Sequence, residues 1–200
     1  MNTLPLIPPM ASPEALFRQW FAEAVTSEPD VPDAMNLATV SADGRPSARM
    51  VLLKSFDELG FVFYTNTQSR KGDDIAANPH GALCFHWKSL GRQVRVEGVL
   101  DFVSDAESDT YWDSRPRGSQ IAAWASDQSH AIADRSTLEA RVAEVEQRFA
   151  GKTVSRPPHW RGYRLTPDLI EFWLNVPNRL HDRLVFHRTG DGWHTERLSP

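Results

Sequence analysis

The spacing of apolar and polar positions changes period several times along the chain. After Ser12-Pro13-Glu14, the residues Leu16, Phe17, Trp20, Phe21, Ala24 and Val25 recur at helical spacing. Ser as N-cap and Pro at the first helical position predict a helix here with an aromatic stripe. From Met35 the period shortens. Residues 35–40, 47–53 and 60–65 are short apolar runs separated by turn signals such as Asp43-Gly44, and they predict antiparallel strands. Ser69 opens a short polar helix that should end at Asn78-Pro79, because the residue before a proline disfavours helix.

Strand character resumes over residues 81–87 and 93–103, around a Ser89-Leu90-Gly91 turn. Ser104 and Glu107 have the spacing of a capping box and open another helix. Pro116 interrupts; 120–125 is helix-like, and 136–149 is a helix stopped by Gly151. Residues 160–165, 169–174, 184–187 and 193–198 return to strand, with Asp191-Gly192 as a hairpin turn. Short antiparallel strands with helices between them predict one α+β domain over residues 1–200, whose sheet closes into a small barrel with peripheral helices. Residues 1–11 are expected to form a flexible lead.

Composition narrows the classes. Two hundred residues, 40% of them hydrophobic and seven of them Trp, suffice for one sizeable core. A net charge of −4 and a pI near 6.0 give no general attraction to nucleic acid or to an anionic membrane, so neither is expected as a partner. The lone Cys84 cannot form an internal disulfide and reads as a small buried hydrophobe. No apolar run is long enough to span a bilayer, and the first ten residues do not read as a secretion signal, so a cytoplasmic protein is expected. Seven His without metal-ligand spacing predict no metal site, and P-loop, GxGxxG and GxSxG motifs are absent.

The candidate chemistry lies in clusters. Arg179-Leu180-His181-Asp182-Arg183, shortly after Glu171-Phe172-Trp173, groups polar residues around a single Leu in a way a buried core would not choose. Along Arg49-Met50-Val51-Leu52-Leu53-Lys54, strand alternation puts Arg49, Val51 and Leu53 on one face and Met50, Leu52 and Lys54 on the other. Ser69-Arg70-Lys71 offers a hydroxyl, two cations and helix N-terminal N–H groups to a phosphate, although an exposed basic pair reads the same way. Tyr111, Arg115 and Ser119 recur every fourth residue, but Pro116 predicts helix, break, helix, so spacing alone leaves their convergence open. Gln93, Gln128 and Ser129 are neutral donors that suit a heterocycle's edge, or equally polar groups satisfied by backbone.

Together, these segments resemble the pyridoxamine/pyridoxine 5'-phosphate oxidase family. The resemblance is carried by RMVLLK (49–54), Phe63-Tyr64-Thr65-Asn66 with Ser69-Arg70-Lys71, Arg92-Gln93-Val94, YWDSRPRGSQIAAW (111–124), residues 126–129, Phe172-Trp173, RLHDR (179–183) and the ending Arg197-Leu198-Ser199-Pro200. It implies an FMN-binding split β-barrel and a homodimer with FMN at the subunit interface. It also implies oxidation of pyridoxamine or pyridoxine 5'-phosphate to pyridoxal 5'-phosphate, with O2 as acceptor and hydrogen peroxide as by-product.

By position, the resemblance makes Arg49, Met50, Val51, Leu52, Leu53, Lys54, Tyr64, Thr65, Arg70, Lys71, Gln93, Gln128, Ser129, Trp173 and Arg183 the FMN contacts. Lys54, Tyr111, Arg115 and Ser119 would hold the substrate phosphate, and Arg179 and His181 would flank the reacting pyridine ring. A phosphate needs cations and hydroxyls, which this set supplies without a carboxylate.

The chain departs from the family pattern in places. Only residues 1–11 precede the first helix, where longer members carry a basic, aromatic segment. Val31 stands before Pro32 where an acid is common, Leu174-Asn175-Val176-Pro177 replaces the usual loop, and Gly118 replaces a polar residue. Two other readings compete: a related flavin oxidase of another small ring compound, and a non-catalytic flavin- or pyridoxal-phosphate-binding protein.

Overall fold

Helix α1 (Pro13–Ser27) starts where its sequence dictates, with the Ser12 hydroxyl accepting from the Ala15 N–H at 3.2 Å. In the computed structural model, which describes residues 6–8, 10–190 and 192–200, its apolar stripe enters the main core. Leu16, Phe17, Trp20 and Ala24 are buried, and Phe17 meets Phe56, Phe61 and Phe85 edge-on at 4.7–5.1 Å. Val25, placed on the stripe by spacing, is instead exposed at the helix's last turn.

Among the described residues, nine antiparallel strands form one curled sheet. They are β1 (Ala34–Val40), β2 (Pro46–Leu52), β3 (Ser55–Asp57), β4 (Gly60–Asn66), β5 (His80–Trp87), β6 (Arg92–Phe102), β7 (Trp160–Leu174), β8 (Asp182–Thr189) and β9 (Gly192–Arg197). The order is β2-β1-β5-β6-β7-β4-β3, with β8 on β7 and β9 on β8. Strand β7 organises the molecule: its first half pairs with β4, its second half with β8, and β6 runs along its other edge. A long strand changing partners midway splits the barrel.

Residues 160–165 and 169–174 are therefore one strand and not two. Pro167 lies between them, and the pairing with β6 absorbs it through a register shift at Glu97/Gly98. Gly98 permits the close approach: a Cβ there would lie 2.0 Å from the Thr166 carbonyl oxygen.

Four further helices lie between strands: α2 (Arg70–Ala77), α3 (Asp105–Asp113), α4 (Arg117–Ala125) and α5 (Arg135–Arg148). The Ser104 hydroxyl caps α3 by accepting from the Glu107 N–H, as its sequence predicts. Helix α5 starts one residue early because Asp134 is its cap. Trp112, Ile121, Phe149, Val154 and Trp160 form a second apolar cluster joining α3, α4 and α5 to the start of β7.

Ile7, within the lead residues expected to be flexible, is held against the core. Ile7 is buried, its N–H donates to the Asp182 carboxylate at 2.7 Å, and its carbonyl accepts from Arg197 at 2.8 Å. Burial of one apolar side chain and two backbone bonds fixes it. Residues 1–5 and 9, and the Asp191 half of the expected hairpin turn, lie outside the described residues. No helix among the described residues is long and apolar enough to cross a membrane.

Candidate active site

A cleft of about 510 Å³ opens between the end of β2, the strand β4 and the helices α2, α3 and α4. Its floor carries a buried cation. Lys71, in the first turn of α2, donates to Thr65 Oγ1 at 3.0 Å, Ser69 Oγ at 2.9 Å and Gln128 Oε1 at 2.8 Å. All three partners are neutral, so burial, reinforced by nearby Arg49, pushes the ammonium down to about 8. Helix α2 sits tightly on the preceding turn, since a Cβ at Gly72 would lie 1.9 Å from the Thr67 carbonyl oxygen.

The β2 alternation holds with one exception. Met50, Leu52 and Lys54 line the cleft, while Leu53 is buried in the core. Val51, predicted for the other face, also reaches the cleft. Arg49 turns away and donates to the Leu37 carbonyl at 3.0 Å and Thr39 Oγ1 at 2.7 Å, with the buried Asp74 carboxylate at 3.5 Å. Arg70 is exposed at the start of α2 and is absent from the lining. Met50 and Leu52 are 62% and 39% exposed, which leaves an apolar platform at the cleft mouth.

Tyr111, Arg115 and Ser119 converge on this cleft through the predicted helix, break and helix: Tyr111 ends α3, Arg115 lies in the break and Ser119 begins α4. The Tyr111 ring stacks on Tyr64 at 4.1 Å, and burial raises the Tyr64 phenol to about 12. Arg115 lies over Trp160 at 4.5 Å, and its Nη1 is buried without a hydrogen-bond partner. An orphaned guanidinium N–H at a cleft wall is a place for an acceptor. Burial also lowers the Arg115 guanidinium from its ordinary value, which an anion would reverse.

Among the described residues, Lys54 is the cation of the wall with a carboxylate partner, Asp33 at 2.9 Å, and no carboxylate lines the cleft itself. A buried ammonium with neutral partners, an orphaned guanidinium, hydroxyls and an apolar platform fit phosphate monoesters attached to flat rings.

The remaining predicted residues form a second group at the other end of β7. Gln93, Trp173 and Arg183 stand in one cross-strand row on β6, β7 and β8. Arg183 is held by Glu171 at 2.7 Å, and the His181 ring lies 4.6 Å from Trp173. His181 Nδ1 accepts from the Val176 N–H at 3.2 Å, which puts the proton of the neutral ring on Nε2. The altered loop after Trp173 forms a 3-10 turn, Pro177–Arg179, where Asn178 and Arg179 both adopt left-handed backbone with φ near 60°. Such strain in non-glycine residues gathers at functional sites. Ser129, also left-handed, lies beside the cleft residue Gln128 but outside the lining.

Trp160 and Trp173 stand near opposite ends of the 15-residue β7, on the order of 40 Å apart along the strand. The two groups are thus separate in one chain. Trp160, Asn66, Ala122, Ala123 and Ser126 also line the cleft and were not singled out in the sequence. All but Trp160 fall within quoted motifs, whereas Trp160 reads as an ordinary core aromatic at a strand start.

Comparison with known proteins gives the family and the fold. The family model for pyridoxamine 5'-phosphate oxidase matches residues 21–149, and that for the pyridoxine 5'-phosphate oxidase C-terminal dimerisation region matches residues 160–200. A pyridoxine/pyridoxamine 5'-phosphate oxidase of Caulobacter vibrioides is 58% identical over 96% of this chain and 88% of its own length. One from Gluconobacter oxydans is 53% identical over the full length of both chains. Among solved structures, PhzG from Burkholderia lata 383, in complex with tetrahydrophenazine-1-carboxylic acid, superposes with a TM-score of 0.92 at 33% identity, covering 100% of this chain and 98% of its own. A pyridoxamine 5'-phosphate oxidase-related, FMN-binding protein of Nostoc punctiforme shares the fold, with a TM-score of 0.73 at 20% identity over 92% of this chain and 97% of its own. The two model matches together span most of the sequence, and both the split barrel and the cleft fall within them, so the chain belongs to the pyridoxine/pyridoxamine 5'-phosphate oxidase family.

Proposed function

We propose that this protein is an FMN-dependent pyridoxine/pyridoxamine 5'-phosphate oxidase that forms pyridoxal 5'-phosphate as one domain within a cytoplasmic homodimer. The observation that carries the reading is the convergence of Lys54, Tyr111, Arg115 and Ser119 on one cleft with Lys71 at its floor. FMN, held by Lys71, Thr65 and Gln128, would supply the two-electron redox chemistry that couples oxidation at the substrate's 4' carbon to reduction of O2 to hydrogen peroxide.

The residues divide the remaining work. Lys71, Thr65 and Gln128 hold the cofactor. Arg115, with its orphaned Nη1, anchors the substrate phosphate together with Lys54, Tyr111 and Ser119. Arg179 and His181 orient the pyridine ring, and His181 Nε2 is the ring atom available for proton exchange. Because Trp173, Arg179, His181 and Arg183 are separate from the cleft in their own chain, they complete the cleft of the partner subunit. The matched C-terminal dimerisation region supports that exchange.

Steady-state assays with each phosphorylated substrate should give equal amounts of pyridoxal 5'-phosphate and hydrogen peroxide. Turnover only with non-phosphorylated rings would support a related flavin oxidase of another small ring compound instead.

Lys71 gives the reading a pH dependence. Its ammonium titrates near 8 in the folded protein and at its ordinary 10.5 when unfolded, so the unfolded state binds more protons between these values. This group therefore makes the FMN-free protein more stable as pH rises from 8 to 10.5. FMN binding should show the opposite trend, because the phosphate favours charged Lys71: affinity falls as pH rises through 8, with proton uptake. Calorimetric titration of FMN at pH 9 in two buffers of different ionisation enthalpy checks this, and buffer-independent heats would contradict it.

A further inference from the structure

Asp33 is the carboxylate paired with a cation of the cleft wall, and the chain takes care to hold it there. The Asp33 carbonyl accepts from the Leu53 N–H at 2.8 Å, which registers the carboxylate beside the next residue, Lys54. One residue earlier, the Pro32 carbonyl accepts from Trp87 Nε1 at 2.9 Å, and Trp87 is buried in the main core. Val31 completes the turn with φ of 28°, a conformation that a β-branched residue adopts only when its surroundings enforce it. A strained turn pinned at both Pro32 and Asp33 fixes an acid 2.9 Å from Lys54 Nζ, both side chains being about a quarter exposed.

We propose that Asp33 is a positioning residue that shares Lys54 with the bound phosphate, weakening phosphate affinity and so speeding the exchange of phosphorylated substrate and product. The inference rests on the reading of Lys54 as a phosphate contact. An ammonium has three donors, so Lys54 can bond to Asp33 and to a phosphate together. The phosphate then lies within a few ångströms of a like charge. Two effects of opposite sign follow. Holding the flexible Lys54 stem saves the rotamer entropy of one side chain, whereas repulsion acts between a carboxylate and a phosphate of nearly two charges in a partly desolvated cleft. Repulsion is the larger, and it sets the sign: removing the charge at Asp33 tightens phosphate binding.

The test is titration of inorganic phosphate into the FMN-loaded protein, with Asp33→Asn, Asp33→Glu and Lys54→Gln compared with the parent. Asp33→Asn keeps the size of the side chain and both backbone bonds of the turn, and thermal unfolding checks that it folds; Asp33→Ser serves as a second neutral variant. Phosphate Kd should fall about tenfold in Asp33→Asn, in keeping with the repulsion removed. It should return toward the parent value in Asp33→Glu, and KM for pyridoxine 5'-phosphate should fall while kcat does not rise. An unchanged or weaker phosphate affinity in Asp33→Asn overturns the proposal. If Lys54→Gln weakens phosphate in that case, the phosphate site stands and only the role of Asp33 is lost. If Lys54→Gln leaves phosphate affinity unchanged, the assignment of Lys54 fails and the proposal fails with it.

Discussion

Replacing Arg179 with Ala should lower kcat/KM for pyridoxine 5'-phosphate by about a hundredfold, the order of loss caused by misplacing a group at a reacting centre, while FMN content stays near that of the parent. The structure gives reasons for the split. Arg179 is exposed, lies in a three-residue turn and holds a left-handed backbone, so its side chain contributes neither to the core nor to the cleft of its own chain. A side chain placed this way acts on what enters the site, not on the fold. Arg179→Lys keeps the charge without the planar fork and should recover only part of the loss. Selective loss of flavin, with unchanged turnover per bound flavin, would move Arg179 from the substrate to the cofactor.

The second large effect is expected at Arg115. Its Nη1 is buried and unpaired in the protein alone, so Arg115→Ala deletes a donor that only a ligand satisfies. A charge-assisted contact of this kind contributes about 1.5–3 kcal/mol, which corresponds to a rise in KM of roughly 10- to 150-fold for a phosphorylated substrate. Stability should change much less, because the guanidinium's remaining contact is its stacking on Trp160 and Trp112. An unchanged KM would move the phosphate site elsewhere.

Local physics made much of the fold legible. Ser12 and Ser104 cap the helices that their spacing predicts, and the 69–78 segment forms a helix bounded by Ser69 and Asn78. Two elements escape the local pattern for different reasons. Strand β3 is three residues long and too short for any period to register, and β7 passes through Pro167 because β6 shifts register to meet it. Ile7 carries no signal because a single apolar residue has no periodicity, although it finds a place in the core and bonds to Asp182.

The site was legible in parts. Alternation along 49–54 put Met50, Leu52 and Lys54 together, and the Pro116 break correctly separated Tyr111 from Ser119. Spacing could not bring Lys71 to Gln128 or Arg115 to Trp160, since those contacts join distant elements. Nor could it show that Arg49, on the opposite face of β2 from Met50, reaches Asp74. Asp33 is not singled out by the sequence, because its consequence depends on the turn that aims it at Lys54.

Oxidation of a phosphorylated pyridine at a bound flavin is the activity on which the other expectations depend. Its most direct test is anaerobic mixing of the FMN-loaded protein with pyridoxine 5'-phosphate or pyridoxamine 5'-phosphate, following flavin absorbance and aldehyde product in one sample. Flavin bleaching matched by an equal amount of pyridoxal 5'-phosphate is the expected result, and the two rates would rank the substrates. Bound flavin that stays oxidised with both substrates would contradict the claim and leave a phosphate-binding protein without this chemistry.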